Sequence, residues 1–190
     1  MARQMTFQSS AVAICLMLVC GLGVAIRAAD ATVLLHVPFE AQAQTASRVF
    51  VGEVASITSR PCAARPAYFE TLVGFTVEEV VAGGVPPRVE LRFSGGQVGD
   101  IRQSIDGMPE FELGERYVVF LQADQDPPLI SPIVGFNQGL YQVVTNAAGD
   151  DVVRNRAGQR LQSTGPGARA AAATEPRLGD FTAAIQAARR

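Results

Sequence analysis

The stretch "YFETLVGFTVEEVVAGG" (Tyr68–Gly84) limits what this chain can fold into more than any other. Phe69, Thr71, Val73, Phe75 and Val77 recur with period two and would share one face of a strand. Glu70, Leu72, Gly74, Thr76 and Glu78 would share the other, with Gly74 marking a bulge or a close approach. Neighbouring segments repeat the theme. "RVFVGEVASIT" (Arg48–Thr58) reads as a strand buried on both sides at its start, and "RVELRF" (Arg88–Phe93) alternates cleanly. "RYVVFLQ" (Arg116–Gln122) is apolar on both faces, so it belongs in the middle of a sheet. Leu129–Asn155 reads as strand, short turn at Asn137–Gly139, strand, then a hairpin around Asn146–Asp150. Two prolines make Ser59–Ala67 a loop, and Gly83–Pro87 a turn. About seven short strands with regular turn signals predict an all-β barrel or sandwich.

The ends read differently. "AVAICLMLVCGLGVAI" (Ala11–Ile26) is an unbroken apolar run of 16 residues, short for a span that needs about 20. Small residues around Ala28–Ala31 suit signal peptidase, so residues 1–31 are expected to be a secretory signal peptide, cleaved after Ala28 or Ala31. The rival is an uncleaved anchor, which would be the chain's one link to a membrane. Cleavage after Ala31 leaves 159 residues, one domain by length. His36–Ser47 is predicted as a short helix entered at Pro38. Residues 32–155 would form the β domain, 156–177 a linker rich in Gly, Ala, Pro and Arg, and 178–190 a C-terminal helix. In that helix Asp180 is placed to cap and Arg189–Arg190 sit at the negative end of the dipole.

Charge and composition narrow the chemistry. The net charge is −2, or −3 once the signal residues are removed, which gives no electrostatic case for nucleic acid. All sixteen cations are Arg, a pattern that fits codon bias in a GC-rich genome better than a function. Cys15 and Cys20 leave with the signal, so Cys62 has no intramolecular disulfide partner.

Motif by motif, the familiar chemistries lack their parts. "SGGQVG" (Ser94–Gly99) has neither the Lys-Ser/Thr of a P-loop nor the G-x-G-x-x-G spacing, so it reads as a turn between strands. There is no C-x-x-C or H-E-x-x-H and one histidine, His36, so zinc has no ligand set; no cofactor is expected. No G-x-S-x-G exists. Carboxylates for paired acid–base work are present as Glu70, Glu78, Glu79, Glu90, Glu110, Glu112 and Glu115, and alternating surface positions explain most of them.

Three pieces then fall into order: "VFVGEVASI", "FTVEEVVAGG…RVELRF" and "FELGERYVVFL". Their sequence resembles the strand order of TIMP/netrin-like OB-fold domains. It is also similar to a group of uncharacterised secreted bacterial proteins sharing a "GG-x-x-G…P-x-F-x-x-G-E" segment. Here that segment is Gly95, Gly96, Gly99, Pro109, Phe111, Gly114 and Glu115. The resemblance implies a small closed or partly open OB-like β-barrel with a short N-terminal and a C-terminal helix. The disulfides and the zinc-chelating N-terminal Cys of the TIMP inhibitors have no counterpart in the mature chain.

The leading expectation is an exported, non-catalytic binding module, secreted or periplasmic, acting on an exported protein through surface loops. Gly95, Gly96, Arg102 and Asp106 are the candidate partner-binding loop. The alternatives are a protease inhibitor or accessory protein of an exported enzyme and, ranked last, a carboxylate-using hydrolase.

Overall fold

The period-two pattern becomes the long central hairpin of the computed structural model, which describes residues 35–126, 130–155 and 175–190. Strand β1 (Arg48–Cys62) runs into β2 (Arg65–Ala82), and β3 (Arg88–Ser94) follows. A small hairpin, β4 (Gly96–Val98) and β5 (Ile101–Gln103), stands apart from the main sheet. Then come β6 (Arg116–Leu121), β7 (Leu140–Thr145) and β8 (Asp151–Asn155). Helix α1 (Phe39–Thr45) precedes the strands and α2 (Leu178–Ala188) ends the chain. The main sheet has six strands in the order β3-β2-β1-β6-β7-β8, every pair antiparallel. An all-β fold with a helix at each end is therefore what the chain adopts.

A closed barrel is not. β3 and β8 are the two edges and do not pair with each other. Closure needs a continuous ladder around the ring. Here the stretch that would supply it, predicted as a strand over Leu129–Phe136, is irregular. Leu129 lies outside the described residues. From Ile130 onward, Pro132, Gly135 and a left-handed Phe136 (φ 72°) break the pattern, leaving one bridge, Leu121–Ile133, and one bond from Ser94 N–H to Ile130 O (2.9 Å).

The expected loop over Ser59–Ala67 is corrected too. β1 continues to Cys62 and β2 begins at Arg65, leaving a two-residue turn at Ala63–Ala64. The prolines fit because the ladder is irregular there: between the pairs Pro61–Phe69 and Cys62–Arg65, β2 carries three unpaired residues, Pro66–Tyr68. Gly74 marks the close approach its position suggested, since Ser56 Oγ occupies the space a Cβ would need.

Both faces of the sheet are apolar, so both must be covered. On one face Val49, Val51, Val118, Phe120, Tyr141 and Val153 pack under the helices, which contribute Phe39, Ala43, Phe181 and Ile185. Arg189 fastens the two helices together by donating to the carbonyls of Ala43 and Ala46 (2.7 Å to the latter), at the end of α1 where carbonyls lack partners. Asp180 lies in the first turn of α2 without capping it; Arg177 is the N-cap residue. On the other face Phe50, Val54, Val73, Phe75, Leu91, Phe93, Tyr117 and Val119 form a second core, covered by the chain between β5 and β6. β6 contributes to both cores and lies mid-sheet, as its two apolar faces required. The predicted signal segment lies outside the described residues, as does most of the predicted linker. The end of that linker stretch is ordered against β8: Val153 N–H donates to Pro176 O (2.9 Å) and Arg177 bridges Val152.

Candidate functional site: a cleft under the glycine turn

The glycine pair is where β3 leaves the sheet. Gly95 (φ 94°) and Gly96 (φ 139°) both occupy backbone conformations that side chains disfavour. A Cβ at Gly96 would also lie 2.6 Å from Ser59 Oγ and closer still to Thr71 Oγ1. The turn therefore presses the β4–β5 hairpin onto the end of the β1–β2 hairpin. Thr71 Oγ1 donates to Gly95 O (2.8 Å); that uses its one proton, so Ser59 Oγ donates to Thr71 Oγ1 (2.9 Å). Gln103 clamps from the other side. Its Oε1 accepts from Phe69 N–H (2.7 Å) and its Nε2 donates to Ala67 O (2.8 Å), satisfying backbone groups freed by the irregular pairing.

From β5 the chain folds back over the second core. Asn137 Nδ2 donates to Gly107 O (2.7 Å), and Met108 N–H to Ile105 O (3.1 Å). Phe111 drops between three rings, with centroids 5.0 Å from Phe93, 5.6 Å from Tyr117 and 5.8 Å from Phe75. What remains between the hairpins and this loop is an open cleft of about 340 Å³. Its floor is apolar, with Val73, Phe93 and Phe111; Ile57, Ile105 and Met108 are on its sides. Arg102 and Glu110 meet at the mouth (Nη2–Oε1 3.1 Å), both well exposed. Exposed apolar side chains continue outward: Ile101 on the hairpin is 63% exposed and Tyr68, beside the Gln103 clamp, 62%.

The structure thus gathers three of the four candidate loop residues. Gly95, Gly96 and Arg102 line the cleft; Asp106 is exposed in the turn before Gly107 and lies outside the lining. The glycines shape the site, and Arg102 is the one of the three with a functional side chain. Sequence reasoning missed Gln103, Phe111 as the floor, and the Ser59–Thr71 pair. Phe111 had a signal in its Pro-x-Phe-x-x-Gly setting; Gln103 had none.

The carboxylates are dispersed rather than paired with each other. Glu70 is buried (5% exposed) on the opposite side of β2 from Thr71. Burial alone would raise its pKa, but Arg60 (2.8 Å) and Arg92 (3.4 Å) outweigh that and hold it below the ordinary value. Glu78 takes a bidentate bond from Arg116, which also reaches Asp151 (2.7 Å) and lowers that carboxyl's pKa. Glu115 accepts from Tyr117 Oη and from Gln142 Nε2 (2.8 Å). Glu110 and Glu112 reach the cleft. Cys62 is a half-exposed free thiol near the hairpin tip. Among the described residues no group of three or more His, Cys, Asp and Glu could hold a metal, and no helix is long and apolar enough to cross a membrane.

Comparison with known families, with curated proteins and with solved structures returns no match.

Proposed function

We propose that this chain is an exported, non-catalytic binding module that holds a protein partner at the cleft. The observation that carries the reading is the cleft itself: an apolar floor under an open mouth, flanked by exposed Ile57, Ile105 and Ile101. Monomeric proteins seldom leave apolar side chains grouped at a concavity without a use for them. Several polar groups of the cleft are engaged with one another: Ser59 bonds to Thr71, Thr71 to Gly95 O, and Glu110 pairs with Arg102, while Glu112 also lines the cleft. Export rests on the apolar run Ala11–Ile26.

The scaffold we assign is a partly open OB-like barrel, the architecture implied by the TIMP/netrin resemblance. Two features support it. β1 pairs with both β2 and β6, and the bond from Ser94 to Ile130 with the Leu121–Ile133 bridge leads from β3 back to β6. Such scaffolds bind through loops around the barrel.

The test is crosslinking capture from envelope and medium fractions with the chain and with Ile105→Asp. The reading expects a specific partner whose recovery falls at least about tenfold in the variant, roughly 1.4 kcal/mol of binding. Equal recovery by a folded Ile105→Asp would overturn it.

A further inference from the structure

The two edges of the sheet are finished differently. β8 is covered at Val152 and Val153 by Pro176 and Arg177. Among the described residues β3 has no such cover along most of its length. Pro87 O and Gly95 N–H bond toward β2, while Ser94 N–H bonds away from it to Ile130. Backbone direction alternates along a strand, so the N–H and C=O groups of Arg88, Glu90 and Arg92 also point away from β2. Of these outward residues, Ser94 alone has a backbone partner across the edge among the described residues.

Beside this open edge runs a groove of about 310 Å³. Val89–Arg92 form one wall; Leu121–Gln125, Pro132 and Arg48, which is paired with Asp124 (2.5 Å), form the rest. The side chains on the solvent face of β3 alternate in sign: Arg88, Glu90, Arg92. Arg88 and Glu90 have no salt-bridge partner among the described residues, and Arg92 holds Glu70 at 3.4 Å while remaining half-exposed. Uniform charge on an edge deters pairing; alternating charge selects a partner strand of the opposite pattern.

We infer that the open edge of β3 docks an extended peptide segment of a partner protein, one carrying acidic, basic and acidic side chains at alternate positions with apolar residues between. The peptide would add a strand beside Arg88–Arg92, exchange backbone hydrogen bonds with Glu90 and Arg92, and turn its apolar residues toward the partly exposed Val89. The charge pattern favours a foreign strand over a second copy of this chain, because antiparallel self-pairing over the whole of Arg88–Arg92 would set Glu90 against Glu90 and Arg88 against Arg92. This surface is separate from the cleft and does not depend on the cleft's function.

The experiment titrates the isotope-labelled full chain with the capped peptide Glu-Val-Lys-Val-Glu and follows backbone amides by NMR. Saturable shifts are expected at Glu90 and Arg92. The charge-reversed peptide Lys-Val-Glu-Val-Lys should bind about tenfold more weakly, since three favourable cross-strand pairs become unfavourable. Glu90→Pro should abolish binding while keeping the fold, because the lost N–H faces away from β2. A peptide N-methylated at its Lys tests the same bond without altering the protein, and should also fail to bind. No saturable shift at about 2 mM, equal binding of the two charge patterns, or undiminished binding of the N-methyl peptide would overturn the inference. A concentration-dependent dimer lost in Glu90→Pro would assign the edge to a second copy and overturn it equally.

Discussion

Phe181 and Phe111 do the same job on opposite faces of one sheet, the first from a helix and the second from a loop. Phe181 is fully buried, 5.0 Å from Tyr141 and 5.2 Å from Phe39, on a helix that Arg189 ties to α1. Phe111 is half-buried among Phe75, Phe93 and Tyr117, on a chain held by turns and by side-chain clamps. A helix satisfies its own backbone and can lie flat on an apolar surface. A loop must find partners for its backbone elsewhere, so it stands off from the surface it covers. The difference separates a closed face from an open one: the helix-covered face is sealed, and the loop-covered face keeps the opening at which we propose the partner sits.

That contrast can be broken by measurement. The largest effect is expected for Phe181→Ala, a loss of about 3–5 kcal/mol from an aromatic truncated in a closed core. Phe111→Ala should cost less, about 2–3 kcal/mol, because its ring is already partly solvated; urea unfolding of both variants checks the order, and a greater loss at Phe111 would refute the division. Gly96→Ala should cost about 1–3 kcal/mol through its backbone conformation and should distort the cleft. Gln103→Ala should cost about 1 kcal/mol and speed hydrogen exchange at the Phe69 amide while leaving Val118 protected.

The smallest effect is expected in acid. Glu70 has its pKa lowered in the folded state, so its contribution is present above its ordinary value of 4.5 and is lost as pH falls through the lower folded value. Asp151, lowered by Arg116, acts in the same sense. Urea midpoints should therefore drop below about pH 4.5, and Glu70→Gln should flatten part of that drop. An unchanged profile in Glu70→Gln would remove Glu70 from the account.

How far the sequence carried follows from the range of the forces. Strands with clear alternation, β2 and β3, and the doubly apolar β6 were legible because burial pattern alone dictates them. The hairpin extension through Pro61 and Pro66 was not, because a long irregularity absorbs both prolines. Ile130–Phe136 failed the other way: two of its apolar residues enter different cores without forming a ladder, Ile133 on one face and Val134 on the other, while Ile130 is exposed. In the cleft the glycines were visible because their conformations are written in their identity. The Gln103 clamp was invisible, since its partners, Ala67 and Phe69, lie 36 and 34 residues away in sequence.

The central claim is that the loop-covered face is the working surface. The direct measurement places a photo-crosslinking residue at Ile105, in the cleft, and separately at Gln186, on the exposed side of α2. The account expects a discrete protein adduct in the exported fraction from position 105 and none from position 186. An adduct from the helix position alone, or no adduct from the cleft, would contradict it.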